Sequence, residues 1–145
     1  MTIDIQESLI NAIYTTLTED SKLATLMGGQ VRCFLVFASP DATFPYLVHR
    51  IDMNRLADWC PVVRCTYLLD IWSYSPSAKE ALDIRQQIMT LLDGLESSTD
   101  ETTEFWLWRQ TDGFIPEISE GIWHYACQFN LKWLNDSEIG AEMKR

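Results

Sequence analysis

The 145-residue chain lacks any apolar run near the ~18 residues that a transmembrane helix requires. Its first stretch, MTIDIQESLI, also lacks the basic region and the long apolar segment of a signal peptide. We therefore expect a soluble protein that stays in the compartment where it is made and does not bind membranes.

Metal-ligating side chains are scarce, because the chain has only two histidines, His49 and His124. The cysteines form no CxxC pair, so we expect free, buried thiols and no zinc site. The cysteines are Cys33, Cys60, Cys65 and Cys127. His124 and Cys127 lie three apart in a predicted strand, which places them on opposite faces and prevents them from sharing an ion. We expect no metal and no cofactor.

Motifs for catalysis are missing as well: there is no GxGxxG, Walker loop, GxSxG or HExxH. Both histidines lie within predicted strands, where we expect them to be satisfied surface or half-buried side chains. Asp100 and Glu101 lie in a predicted exposed loop, where nothing would shift their pKa values toward acid–base catalysis. We predict no catalytic residues and a protein that is not an enzyme.

Positive charge is in short supply, with 11 Lys and Arg against 21 Asp and Glu and a net charge of −10. This balance disfavours non-specific phosphate binding, which requires clustered Lys and Arg. It is compatible with protein partners or with a surface that repels DNA.

Hydrophobic periodicity predicts the secondary structure. Helices are expected at 4–18, with a short second helix from Ser21, and from Ser77 to Gly94. Ser77 and Glu80 would form a capping box at the start of this last helix, and Gly94 would end it. Strands are expected at 31–37, 46–52, 63–74, 105–110 and 122–134. The acidic, hydroxyl-rich segment 96–104 is expected to be an exposed loop, and Thr111–Gly113 a turn.

This order of elements predicts an α+β fold, an antiparallel β-sheet with two main helices packed on one face (α-β-β-β-α-β-β). We expect one domain over residues 1–134 and a flexible tail over 135–145. In the closing strand one face is almost wholly apolar and forms a core wall; its members are Trp123, Tyr125, Cys127, Phe129, Leu131 and Trp133.

The stretch FWLWRQ carries large apolar groups on both faces, since Phe105 and Leu107 alternate with Trp106 and Trp108. Helices on one side of the sheet cannot bury both faces, and Trp is a residue type that dominates protein interfaces. We predict Trp106 and Trp108 as interface anchors, together with Trp59 in an irregular connection. The alternative is that loops fold over the second face.

Three stretches and their order resemble the phage tail terminator family, also called tail completion proteins. They are FPYLVHRID, YLLDIWSYSPSAKEALDIRQQIMTLLDGL and YACQFNLKWL, and the initial helix ending in SKLATLMGGQV fits the same pattern. The resemblance covers roughly residues 3–134. The segments 56–65 and 96–104 depart from the family pattern.

The resemblance implies a structural virion protein, assembled in the bacterial host cytoplasm and located at the head-proximal end of the tail. Such proteins form a ring-shaped homo-oligomer, usually a hexamer, that stops growth of the tail tube. Its partners would be itself, the tail tube protein and the head–tail connector protein, without specific nucleic-acid binding. The family has no catalytic residues to transfer to this chain.

We further hypothesise that Glu96, Asp100, Glu101 and Glu104 face a DNA passage, where like charge would keep DNA from sticking. An acidic DNA mimic, or another protein-binding inhibitor module, is the alternative function, and it would require carboxylates in a phosphate-like row. A small-ligand-binding domain with an apolar pocket is a third possibility.

Overall fold

The computed structural model describes residues 5–54, 62–99 and 103–135. The helices are α1 (Ile5–Thr18), α2 (Ser21–Leu26) and α3 (Lys79–Leu92). The strands are β1 (Cys33–Leu35), β2 (Tyr46–Asn54), β3 (Val62–Tyr74), β4 (Leu95–Thr99), β5 (Thr103–Ile115) and β6 (Ile122–Asn135). The predicted α+β class and the two long helices are therefore confirmed.

The strands form one six-stranded sheet in the order β1-β2-β3-β6-β5-β4. Every neighbouring pair is antiparallel except β1 and β2, which run parallel. The expectation of a wholly antiparallel sheet is wrong at this edge. The ten-residue connection between β1 and β2 allows the chain to return in the same direction, which a tight hairpin would not permit.

The helices cover one face of the sheet, where the apolar positions of the strands and helices meet in a single core. Leu9, Ile13 and Leu17 on α1 and Ile84 and Ile88 on α3 are fully buried. Their spacing of four residues places them on one stripe of each helix. Helix α1 contacts both β2 and β4, so the sheet curls around it.

Strand β6 forms the predicted core wall. All members of its apolar row except the half-buried Trp123 are buried: Tyr125, Cys127, Phe129, Leu131 and Trp133. Strand β3 places Tyr67, Leu69 and Ile71 beside this row, and all three are fully buried. The alternation predicted from the sequence is confirmed here.

The start of α3 differs from the predicted capping box. The N-cap is Ala78, without a side-chain cap, and the Glu80 carboxylate instead accepts a 2.6 Å hydrogen bond from the Ser73 hydroxyl on β3. Ser77 only accepts a long 3.4 Å hydrogen bond from the Lys79 backbone N–H. The end of the helix is as expected, because Gly94 has a φ of +84° just beyond its last turn.

The region 96–104 is not simply a loop. Leu95–Thr99 forms β4, which pairs with Thr103–Leu107 of β5. The Ser and Thr side chains that indicated a loop are compatible with a strand once a neighbouring strand supplies hydrogen bonds. The predicted turn at Thr111–Gly113 is also wrong, because a β-bulge between Arg109 and Thr111 absorbs one residue and β5 continues to Ile115.

Two further carboxylates, Asp20 and Asp112, connect the helices to their surroundings. The Asp20 carboxylate caps α2 by accepting from the Leu23 N–H at 2.8 Å, and it accepts from the Gln87 amide of α3 at 2.9 Å. On β5, the Asp112 carboxylate accepts from Arg85 of α3 at 3.0 Å. The predicted tail lies outside the described residues except for Asn135, which ends β6.

Candidate interaction surfaces

The face of the sheet opposite the helices carries a row of rings across four neighbouring strands, here called the aromatic row. It consists of Phe34 on β1, Tyr46 on β2, Trp72 on β3 and His124 on β6. Successive ring centroids are 5.9, 6.3 and 3.9 Å apart. Because the alternate residues of these strands point into the core, these rings point away from it.

His124 ends the aromatic row between two carboxylates. Its Nδ1 lies 2.9 Å from a Glu117 oxygen, and its Nε2 lies 3.3 Å from an Asp70 oxygen. The ring stacks on Trp72. Cys127 is buried on the other face, so the prediction that His124 and Cys127 cannot share an ion is confirmed.

Trp106 and Trp108 lie on this same outer face, near its other end. Phe105 and Leu107 alternate with them and are buried, which confirms that β5 is apolar on both faces. Trp106 is half-buried, and Trp108 is 39% exposed. Trp106 lies opposite Lys132 of β6, and Trp108 lies opposite Asn130.

Two of the acidic residues predicted to line a DNA passage, Glu96 and Glu104, are neighbours of these tryptophans. Glu96 lies opposite Trp106, and Glu104 lies two positions before it, so all three point to the same side of the sheet. Both carboxylates are exposed. Asp100, Glu101 and Trp59 lie outside the described residues.

His49 is buried, with 2% of its surface exposed, so the prediction of a surface or half-buried side chain is wrong. It points toward α1, and its Nδ1 lies 2.7 Å from the Tyr67 hydroxyl. Burial lowers the pKa of His49 to about 4. The imidazole is therefore neutral at pH 7 and is satisfied within the core.

Among the described cysteines, Cys65 and Cys127 are buried as predicted, while Cys33 is half-buried. Burial raises the pKa of Cys33 and of Cys127 to about 12. These two thiols remain protonated at pH 7, so they are poor nucleophiles. Cys60 lies outside the described residues.

Residues 5–54, 62–99 and 103–135 contain no group of three or more His, Cys, Asp or Glu side chains placed to hold a metal ion. No helix in these ranges is both long and apolar enough to cross a membrane.

An exposed apolar segment that sequence analysis missed lies at the end of β1, and we call it the apolar tip. Its residues are Leu35, Val36 and Phe37, all exposed, with Phe37 78% exposed. The Phe37 N–H donates to the Leu35 carbonyl at 2.8 Å around Val36, which has a φ of +70°. This is a γ-turn. The signal available in the sequence was an apolar run ending in Ser39–Pro40.

A concave surface with both apolar and acidic lining residues, here called the hairpin cleft, lies where β5 turns into β6. It encloses about 870 Å³ and is lined by Tyr74, Phe114, Ile115 and Trp123, with further residues of the segment 116–122. Tyr74, Phe114 and Ile115 are exposed, and Ile118 in the turn is fully exposed at 103%. In the sequence, this cleft was indicated by the segment FIPEIS, where apolar residues flank Pro116 and no helix or strand was predicted.

Comparison with known proteins relates this chain to virion components. The family model "Tail completion protein gp17" matches residues 11–131. A solved chain described as "Virion of native gene transfer agent (GTA) particle" superposes with a TM-score of 0.77 at 15% identity, covering 92% of this chain and all of that one. A second solved chain superposes with a TM-score of 0.63 at 11% identity, covering 89% and 96% of the two chains. At these identities the two superpositions show the fold alone.

Curated relatives include Flap endonuclease 1 of Drosophila willistoni, 26% identical over 139 residues, and that of Drosophila melanogaster, 28% identical over 139 residues. Each alignment covers 88% of this chain but only 34% and 35% of the two endonucleases. This chain thus spans about a third of the length of these relatives, at identities too low to define a family. The family model covers most of the chain, and the chain belongs to the Tail completion protein gp17 family of phage tail structural proteins.

Proposed function

We propose that the protein caps the head-proximal end of a phage tail tube, stops tube polymerisation and provides the surface to which the head connector joins. The observation that carries this proposal is the presence of several apolar surfaces on one small domain of this family. A terminating subunit must contact the tube, the connector and its own neighbours at once, so it needs more than one such surface.

The described surfaces that support this proposal lie on different parts of the domain. The outer face carries the aromatic row at one end and Trp106 and Trp108 at the other. The apolar tip and the hairpin cleft lie apart from those tryptophans. We place Trp106 and Trp108, together with Trp59, in contact with the tube or the connector.

The subunits assemble into a ring, with six copies as the working number, in the cytoplasm of a bacterial host. Residues 1–134 act as the single folded domain. The protein acts through contacts rather than catalysis, and it needs no cofactor. Glu96, Asp100, Glu101 and Glu104 face the DNA passage, where their charge repels DNA.

The test is electron microscopy of lysates from a phage or prophage in which this gene is disrupted. Overlong, headless tails beside full heads are expected, because both length control and joining would be lost. The same strain carrying the intact gene in trans is the control and should produce joined particles of normal tail length. Normal joined particles from the disrupted strain would refute the proposal.

The DNA-mimic function receives no support from the described acidic residues. A mimic requires carboxylates at regular phosphate-like spacing, whereas Glu96 and Glu104 share their face with Trp106 and Lys132. A half-buried indole and an ammonium group within the acidic patch interrupt such a row.

A further inference from the structure

We propose that a proton on His124 holds the turn between β5 and β6, residues 116–121, against the outer face of the sheet, and that loss of this proton releases the turn. The contacts involved lie within one subunit, so the device is independent of the terminator function. It makes one wall of the hairpin cleft sensitive to pH.

The imidazole of His124 lies between two carboxylates that come from different parts of the chain. Its Nδ1 is 2.9 Å from a Glu117 oxygen in the turn, and its Nε2 is 3.3 Å from an Asp70 oxygen on β3. The His124 side chain is only 11% exposed, so water has little access to the ring. Each ring nitrogen therefore depends on the carboxylate that it faces.

A neutral imidazole cannot satisfy both carboxylates. It carries one N–H donor and one nitrogen lone pair, whereas the imidazolium carries two donors. In either neutral tautomer of His124 a lone pair faces a carboxylate oxygen, and a buried polar atom without a hydrogen bond is unfavourable. Among the described residues the buried Nε2 atom has no hydrogen bond, and the Asp70 carboxylate forms an ion pair with it only when the ring is charged.

The surroundings of the ring favour the same charged form. The Trp72 indole stacks on His124, with ring centroids 3.9 Å apart and an angle of 16° between the planes. The face of an indole carries partial negative charge and attracts a cation. On β5, the residue opposite His124 is Ile115, which carries no charge. The neighbours of His124 on the same face of β6, Ile122 and Ala126, are uncharged as well.

Little else holds the first part of the turn. Residues 116–120 are all exposed, so no buried apolar side chain anchors them. Among the described residues, the contact with His124 is the one side-chain hydrogen bond that residues 116–120 make. At the end of the turn, the Gly121 carbonyl accepts a 2.9 Å hydrogen bond from the Ser75 N–H, which does not involve His124. Release of Glu117 should therefore free residues 116–120 while Gly121 stays in place.

The turn supplies one wall of the hairpin cleft. Glu117, Ser119 and Glu120 line the cleft on this side, and Tyr74 lines it from the end of β3. Histidine is the side chain type whose charge changes between pH 5 and 8. A rise in pH through this range should move the turn and open the cleft, and a fall in pH should close it.

The experiment follows the mobility of the turn in the purified full chain by NMR. Backbone order parameters of residues 117–119 are measured at pH 5.5 and pH 8.5 on the Cα carbons, which are insensitive to exchange of amide protons with water. In wild type they should be about 0.85 at pH 5.5 and fall below about 0.6 at pH 8.5. The other histidine does not interfere, because burial lowers the pKa of His49 to about 4.

Three variants test the role of the proton. In Glu117→Gln, a neutral His124 can donate to Asp70 through Nε2 and accept from the new amide through Nδ1, so the turn should stay ordered at both pH values. Glu117→Ala removes the contact and should leave the turn mobile at both pH values. Glu120→Gln is the matched control, because it removes a neighbouring carboxylate outside the two ion pairs of His124, and it should keep the wild-type response.

Three outcomes would overturn the proposal. The first is a set of wild-type order parameters that do not differ between the two pH values. The second is a pH response that persists in Glu117→Gln, and the third is its loss in Glu120→Gln. Both substituted positions are exposed, so melting temperatures should stay near the wild-type value. The gene-disruption experiment is unaffected by any of these results, so this proposal and the proposed function fail separately.

Discussion

Glu96 and Trp106 occupy directly opposed positions on β4 and β5, on the face of the sheet away from the helices. Trp106 in turn lies opposite Lys132 of β6. The indole is therefore flanked by a carboxylate and an ammonium group on its two neighbouring strands. Trp106 and Trp108, predicted to be interface residues, therefore belong to one continuous surface with Glu96 and Glu104, predicted to line the DNA passage. Substitutions in either set will influence the other.

Replacing the candidate anchors singly, as Trp59→Ala, Trp106→Ala and Trp108→Ala, should lower the yield of joined particles. If an indole is a central contact, its truncation weakens the contact by about thirtyfold or more. Counting joined particles by electron microscopy measures the effect. The Trp→Phe variants are controls that retain an aromatic ring. Because Trp106 is half-buried, melting curves of its variants show whether a lower yield comes from weaker assembly or from a less stable fold. Wild-type yields from all three alanine variants would disprove the assignment.

Reversing the charge of Glu96, Asp100, Glu101 and Glu104 together to Lys should slow or block DNA ejection while rings still form. Lysines in the passage would attract phosphates that the native carboxylates repel. Ejection kinetics are measured by dye release from particles at several salt concentrations, since screening should reduce the defect. The Gln and Asn variants at the same positions, which remove charge without adding the opposite sign, should have a smaller defect. Ejection at the normal rate from the Lys variant would contradict the hypothesis.

The buried pair His49 and Tyr67 should make stability depend on pH. The pKa of His49 is lowered by burial from 6.5 to about 4. Between these values the unfolded chain binds the proton and the folded one does not, so the free energy of unfolding decreases as pH falls from 6.5 to 4. The loss is on the order of 3 kcal/mol.

Urea denaturation at pH 7 and pH 4 measures this difference. His49→Gln should reduce the pH dependence by that amount, because Gln does not titrate in this range. Tyr67→Phe should lower stability by about 1–3 kcal/mol at both pH values and keep the dependence, since His49 remains. An unchanged pH dependence in His49→Gln would rule out this explanation.

Asp112 should be the most sensitive polar residue of the fold. Its carboxylate is 10% exposed and accepts from Arg85 at 3.0 Å and from the Tyr125 hydroxyl. Burial alone would raise the pKa of Asp112, but these two hydrogen bonds together with the charges of Arg85 and Arg109 outweigh burial and hold the pKa below its ordinary value. Burial and the bond to Asp112 raise the pKa of Tyr125 to about 12.

Asp112→Asn should lower the free energy of unfolding by about 3 kcal/mol, because it leaves the largely buried Arg85 without a counter-charge. The comparison is Asp83→Asn, which removes the exposed ion pair with Lys79 and should cost about 0.5 kcal/mol or less. Thermal and urea unfolding measure the loss of stability in each of the two variants. Equal losses from the two variants would show that the carboxylate does not anchor α3 to β5.

The sequence by itself determined the features that depend on local periodicity. The apolar stripe of α3, including Ala81, Ile84 and Ile88, follows from the 3.6-residue repeat of a helix. The buried row of β6 and the two-sided strand at Trp106 follow from the two-residue repeat of a strand. The fold class followed from the order of these elements.

Only the tertiary structure decided the features that depend on pairing between distant segments. Strand β4 exists because β5 supplies its hydrogen bonds, and β5 continues through Asp112 because a bulge turns that carboxylate toward Arg85. His49 is buried because its strand position faces α1. The apolar tip and the hairpin cleft became recognisable once the curled sheet left their side chains uncovered, since exposure is a property of the whole packed chain.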